Sequence, residues 1–141
     1  MVEKSSRRFQ VATRGQKDVV ELGAMVGQWV RETGVREGIL HLFVLGSTAA
    51  LTTIENEKGL IQDLGSMLDE LVPAGRTYLH SETGGDDNAP SHIWASIIGP
   101  SISIPVEDGR LSLGTWQQVV LIELDVRPRT REIVAQLVRL D

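Results

Sequence analysis

GILHLFVLGSTAALTTIE, Gly38 to Glu55, is the stretch whose reading decides the fold. From Gly38 to Leu45 it is apolar at almost every position, which predicts a strand buried on both faces. His41, inside that run, reads as a core or interface histidine. Gly46-Ser47 interrupts the run, and β-branched residues resume from Ala50 to Glu55 as a second strand. A glycine followed by hydroxyl residues at a strand end lets backbone N–H groups and Oγ atoms approach an anion. Ser47 and Thr48 are therefore candidate substrate contacts, with a plain β-bulge as the alternative. The segment lacks the Gly-Lys-Ser/Thr ending of a Walker loop. Glu55, closing the second strand, is a candidate base or ligand, or else simply solvated.

Working outward, Arg8 to Thr13 reads as a strand with Phe9 and Val11 on one face. Asp18 and Glu21 have the spacing of a capping box, and Val20, Met25, Trp29 and Val30 continue it as a helical stripe. Gly34 is placed to stop that helix. Leu60, Leu64, Leu68 and Leu71 mark a second helix, ended by Pro73-Ala74-Gly75. Tyr78 to Pro90 reads as irregular, and Ser91 is placed to cap a short helix through Ile98. Strands follow at Ser101–Pro105, Arg110–Leu113, Gln118–Val126 and Glu132–Leu140, with Asp108-Gly109 turning a hairpin. The expected fold class is α+β: a single domain over residues 1–141, mostly antiparallel sheet or sandwich, with two to three helices.

Composition narrows the function. The 141 residues contain no cysteine, which removes thiol nucleophiles and cysteine-held zinc. A net charge of −5 argues against nonspecific nucleic-acid binding. No apolar run approaches the roughly 18 residues of a membrane span, so a soluble, cytoplasmic protein with no membrane partner is expected. The basic run Arg127-Pro128-Arg129-Thr130-Arg131 reads as a solvated turn, with anion contact as the alternative.

The chemistry concentrates between Tyr78 and Gln117. His80, Asp86, Asp87, Asn88 and His92 fall within thirteen residues, and the chain has only three histidines. Two imidazoles with a carboxylate suit a divalent metal, zinc or magnesium, although the spacing matches no His-Glu-x-x-His site. The same histidines, with Asn88 as a donor, suit a phosphate equally well. Further along, Thr115 and Gln117 are candidate ligand contacts around Trp116, itself a flat wall or a packing anchor.

Four segments taken together carry a resemblance: HLFVLGSTAALTTIEN from His41 to Asn56, Tyr78-x-His80, Asp86-Asp87-Asn88-Ala89-x-Ser91-His92-Ile93, and Gly109-Arg110-Leu111-x-x-Gly114-Thr115-Trp116-Gln117. In this order they resemble the YjbQ family, over nearly the whole chain from about Gly15 onward. The resemblance implies a compact α+β subunit that forms a homotrimer. It implies a site containing His80, His92 and Asp87 or its neighbour. It also implies a secondary thiamine-phosphate synthase activity, joining hydroxymethylpyrimidine diphosphate to a thiazole phosphate with release of pyrophosphate.

Two positions depart from the family pattern. Gly46 stands where many members have histidine, and Trp94 where lysine is common. With Gly46, a three-ligand metal site requires a carboxylate, Asp87 or Glu55. The expectation is therefore catalysis by His80, His92, Asp87 and Glu55, with a metal on His80, His92 and Asp87. Ser47, Thr48, Asn88, Thr115 and Gln117 would hold a small phosphorylated molecule. The alternative is a noncatalytic oligomer that binds a metal or metabolite.

Overall fold

The computed structural model describes residues 4–84 and 87–141. Its organising strand is β7 (Gln118–Glu123), buried at every position from Val119 to Glu123. β7 lies between β2 (Val19–Glu21) and β4 (Ala49–Ile54) in a three-stranded antiparallel sheet. Strand alternation sends Val119 and Leu121 to one side and Val120 and Ile122 to the other.

The first side faces a five-stranded antiparallel sheet in the order β1-β8-β3-β5-β6. Its strands are β1 (Lys4–Ala12), β3 (Gly38–Leu45), β5 (Ser101–Glu107), β6 (Arg110–Leu111) and β8 (Thr130–Arg139). Leu40, Leu42 and Val44 of β3 and Ile133, Ala135 and Leu137 of β8 fill this core with Val26, Trp29 and Val30 of α1 (Gly23–Thr33). Phe9 meets Trp29 edge to face at 6.0 Å. The second side of β7 packs on Leu68 of α2 (Lys58–Leu71) and on Trp94 and Ala95 of α4 (Ala89–Ile98). A short helix, α3 (Leu79–Thr83), precedes α4. The result is the expected α+β domain with four helices rather than two or three.

The strand buried on both faces is β7, not β3. β3 alternates strictly: Ile39, Phe43 and Leu45 point outward and stay about 40% exposed. β7 is covered because a sheet and two helices flank it; β3 belongs to the outer sheet, whose second face no element of the described chain covers. His41 on that face contacts Ser103, with 2.9 Å between Nδ1 and Oγ.

Two further expectations change. Val20 lies in β2, and the helix opens only at Gly23. Asp18 and Glu21 form no capping box: Asp18 accepts the Arg14 N–H, and Glu21 accepts the Gly23 N–H at 2.7 Å. The basic run before β8 is also not simply solvated. Arg131 is buried, and its guanidinium donates to both oxygens of Glu123, which is itself fully buried at the end of β7. Arg131 also donates to Thr48 Oγ1 (2.8 Å) and the Thr48 carbonyl, while Thr13 Oγ1 donates to Glu123. Beside this pair, Arg129 donates to Asp125. Burial pushes the Asp125 carboxyl up, but the Val126 N–H, Arg129 and the Thr48 hydroxyl outweigh it and hold it below the usual carboxylate range.

Breaking a buried ion pair leaves an uncompensated charge, which costs about 3–5 kcal/mol. Arg131→Met is therefore expected to lower unfolding free energy by roughly that much. Arg131→Met combined with Glu123→Gln should lose clearly less than the sum of the two single changes in urea denaturation. Strict additivity would show that the pair does not act as a unit.

Candidate functional site

Gly84 and Asn88 set the geometry around the two motif histidines. His80 sits on α3, and its ring edge lies over Gly84, so close that a Cβ there would fall 2.6 Å from Cε1. Only glycine leaves room for the ring in this position. The opposite edge of His80 meets Asn88, with 3.1 Å between Nε2 and Oδ1. Asn88 occupies the N-cap of α4, but its side chain is buried against His80 rather than capping the helix. Pro90 supplies the fixed φ of the first turn. Ser91, the expected cap, lies inside α4, fully buried, and its Oγ has no hydrogen-bond partner among the described residues.

His92, in the first turn of α4, brings its ring to 4.9 Å from that of His80, at 73°. Both are half-buried. They line a cavity of about 500 Å³ with Arg76, Tyr78, Leu79 and Ile93. The Tyr78 hydroxyl donates to the Pro73 carbonyl at 2.6 Å, and the Arg76 guanidinium lies over the Tyr78 ring. Tyr78 and Ile93 belong to the motif segments, but Arg76 does not: one arginine beside a Pro-Ala-Gly breaker carries no recognisable spacing. The cavity offers two imidazoles, a guanidinium and apolar walls, a set suited to a small anion with a flat apolar part.

The other predicted residues lie elsewhere. Asp87 is exposed and accepts the Ser81 hydroxyl at 3.3 Å; Asp86 lies outside the described residues. Glu55 is exposed at the end of β4 and does not line the cavity. The acid that acts locally there is Glu57, whose carboxylate caps α2 through the Gly59 and Leu60 N–H groups and is thereby held below its ordinary pKa. Thr48 is buried in the Arg131 network. Ser47 borders a separate hollow beside Gly46 and Ser96. Gln117 ties the turn before β7 to β4, donating to Thr53 Oγ1 and accepting the Gly114 N–H. Thr115 is exposed, and Trp116 is 70% exposed.

The two family departures have local explanations. A Cβ at Gly46, where φ is +131°, would fall 2.7 Å from Arg131 Nη1, so glycine there accommodates the buried guanidinium. Trp94 is buried in the second core, donates to the Leu68 carbonyl at 2.8 Å and does not line the cavity. The Lys17 ammonium lies over its ring at 5.1 Å.

For a metal the fit is incomplete. His80 and His92 supply two imidazoles, but Nε2 of His80 is engaged by Asn88 and Asp87 is turned to Ser81. No group of three metal-ligating side chains forms among the described residues.

Comparison with known proteins places this arrangement in context. The family model described as UPF0047 protein YjbQ-like matches residues 7–140. A UPF0047 protein of Methanothermobacter thermautotrophicus is 36% identical over 132 residues, covering 94% of this chain and 90% of that protein. The UPF0047 protein YjbQ of Salmonella typhimurium is 40% identical over 104 residues, covering 73% of this chain and 75% of that one. Among solved structures, a YbjQ-like protein of unknown function from Sulfolobus solfataricus P2 superposes with a TM-score of 0.91 at 31% identity. That match covers 99% of this chain and 100% of the other. No helix among the described residues is long and apolar enough to cross a membrane.

Proposed function

Because the chain belongs to the YjbQ-like UPF0047 family, we propose that it binds a small phosphorylated molecule in the cavity lined by His80 and His92. The observation that carries this reading is the convergence of the two imidazoles on one cavity that also contains Arg76. As imidazolium ions or N–H donors they would face phosphate oxygens, while Tyr78, Leu79 and Ile93 would cover an aromatic ring. For thiamine-phosphate formation the thiazole nitrogen gives its electron pair to the pyrimidine methylene carbon. The carbon–oxygen bond to the diphosphate breaks, and pyrophosphate leaves with the bonding electrons. The protein's task in such a step is to stabilise the charge that builds on the leaving group, which His80, His92 and Arg76 are placed to do.

A divalent ion, zinc or magnesium, would add charge stabilisation at the diphosphate when bound. It would need Asp87 to turn away from Ser81 and join His80 and His92, so no step is derived through it. A chain without cysteine suits a reducing cytoplasmic setting.

We also propose that the subunit is a homotrimer, closed by the outward face of β3. Ile39, Phe43 and Leu45 of β3, with the neighbouring Pro105 of β5 and Val134 and Val138 of β8, form an apolar surface. Exposed apolar patches of this kind mark association surfaces.

Thiamine-phosphate formation from the two phosphorylated precursors, with added magnesium or zinc, should fall at least about a hundredfold in His92→Ala. Equal rates in the variant and the wild type would refute the site. Ligand-induced thermal stabilisation that needs both histidines, without turnover, would instead make the protein a noncatalytic binder. In sedimentation, the wild type should run at three times the 15.5 kDa chain mass and Phe43→Glu as smaller species. A monomeric wild type would refute the trimer.

A further inference from the structure

Arg31 and Arg110 stand on elements far apart in sequence, the last turn of α1 and β6, yet both line the same two adjoining grooves. One groove, of about 350 Å³, continues past Arg36 and Gly109. The other, of about 340 Å³, continues past Gly27 and Gln118. Neither groove shares a residue with the His80–His92 cavity.

Most of the chain's other arginines are neutralised or covered; Arg127, in the turn leading into β8, is an exception. Arg8, Arg14, Arg36, Arg129 and Arg131 pair with carboxylates, and Arg7 and Arg76 lie over aromatic rings. The side chains of Arg31 and Arg110 have no ion pair, hydrogen bond or ring contact among the described residues. Of the acids bordering the grooves, Asp108 is paired with Arg36, while Glu21 accepts the Gly23 N–H and keeps its charge. In a chain of net charge −5, these two guanidinium groups outnumber Glu21, the one carboxylate bordering the grooves that no cation pairs, and leave a local cationic excess. The negative end of α1 accounts for Arg31 in its last turn, but not for Arg110 on another element.

Glycines border the junction. A Cβ at Gly27 would lie 3.6 Å from Arg31 Nη1, so the guanidinium extends over a helix surface without side-chain bulk. Gly34 and Gly109, with φ of 75° and 77°, make the two turns beside it, and the Gly109 N–H donates to the Arg36 carbonyl at 2.9 Å.

We propose that the junction of these grooves is a second anion site, in which Arg31 and Arg110 grip the phosphate oxygens of a small phosphate-bearing molecule. Guanidinium forks match phosphate in a bidentate way that lysine does not. The proposal does not depend on the reading of the His80–His92 cavity.

The test is calorimetric titration with inorganic pyrophosphate at low ionic strength. The proteins are the wild type, Arg31→Gln, Arg110→Gln, Arg110→Lys and the double variant His80→Gln/His92→Gln. Each arginine-to-glutamine change should weaken one binding event at least tenfold, Arg110→Lys less, and the histidine double variant should keep that event. Both arginines are exposed and unpaired, so the variants should melt with the wild type. The proposal is overturned if the wild type binds no pyrophosphate, or if the arginine variants titrate as the wild type does. It also falls if binding is lost only in the histidine variant, an outcome that leaves the His80–His92 reading standing.

Discussion

The pair of Glu123 and Arg131 is the interaction on which the two halves of the fold depend. Glu123 ends the inner sheet's central strand, and Arg131 belongs to the outer sheet. Two ionised groups taken out of water are stable only when well hydrogen-bonded, and here Thr13, Thr48 and the Asp125 N–H add to the bonds within the pair. The pair therefore fixes where the junction between β3 and β4 must lie, since Thr48 and Gly46 both meet the Arg131 guanidinium. Once β4 and β7 are placed, the far face of their sheet is available to α2 and α4. The helix bearing His92 is thus positioned through packing of Trp94 and Ala95 on that face.

Much of this arrangement was legible in the sequence, and the failures have physical causes. The strands from Gly38 to Ile54 and the hairpin at Asp108-Gly109 were visible, because an apolar run, β-branched residues and turn chemistry are local signals. The reading of β3 failed because a continuous apolar run can be buried on both faces, or on one face only with the other left exposed within the chain. Composition does not distinguish these. Val20 was drawn into a helix by its spacing to Met25 and Trp29, whereas pairing with Leu121 of β7 decides its conformation. The burial of Arg131 was hidden, since its acid partner lies eight residues back on another strand and each looks solvated alone.

The candidate site was legible in the same partial way. The crowding of His80, Asn88 and His92 was apparent, and the structure brings all three together. Ile93 follows His92 directly in sequence, whereas Arg76 meets the pair only through the folding of the segment that carries Tyr78. Thr48 and Gln117, both candidate ligand contacts in the sequence, join strands instead, and Trp94, which stands where lysine is common in the family, fills a core. Their polar groups are taken by Arg131 and Asp125, by Thr53 and Gly114, and by Leu68 respectively, so they have little left to offer a ligand.

The chain has one histidine pair facing the cavity and a third, His41, on the opposite sheet, which serves as an internal control. The most direct measurement of the central claim is imidazole NMR during titration with hydroxymethylpyrimidine diphosphate. The resonances of His80 and His92 should move together along one binding curve while His41 stays fixed. Movement of His41 alone, or no movement of the pair at saturation, would contradict a ligand cavity built by His80 and His92.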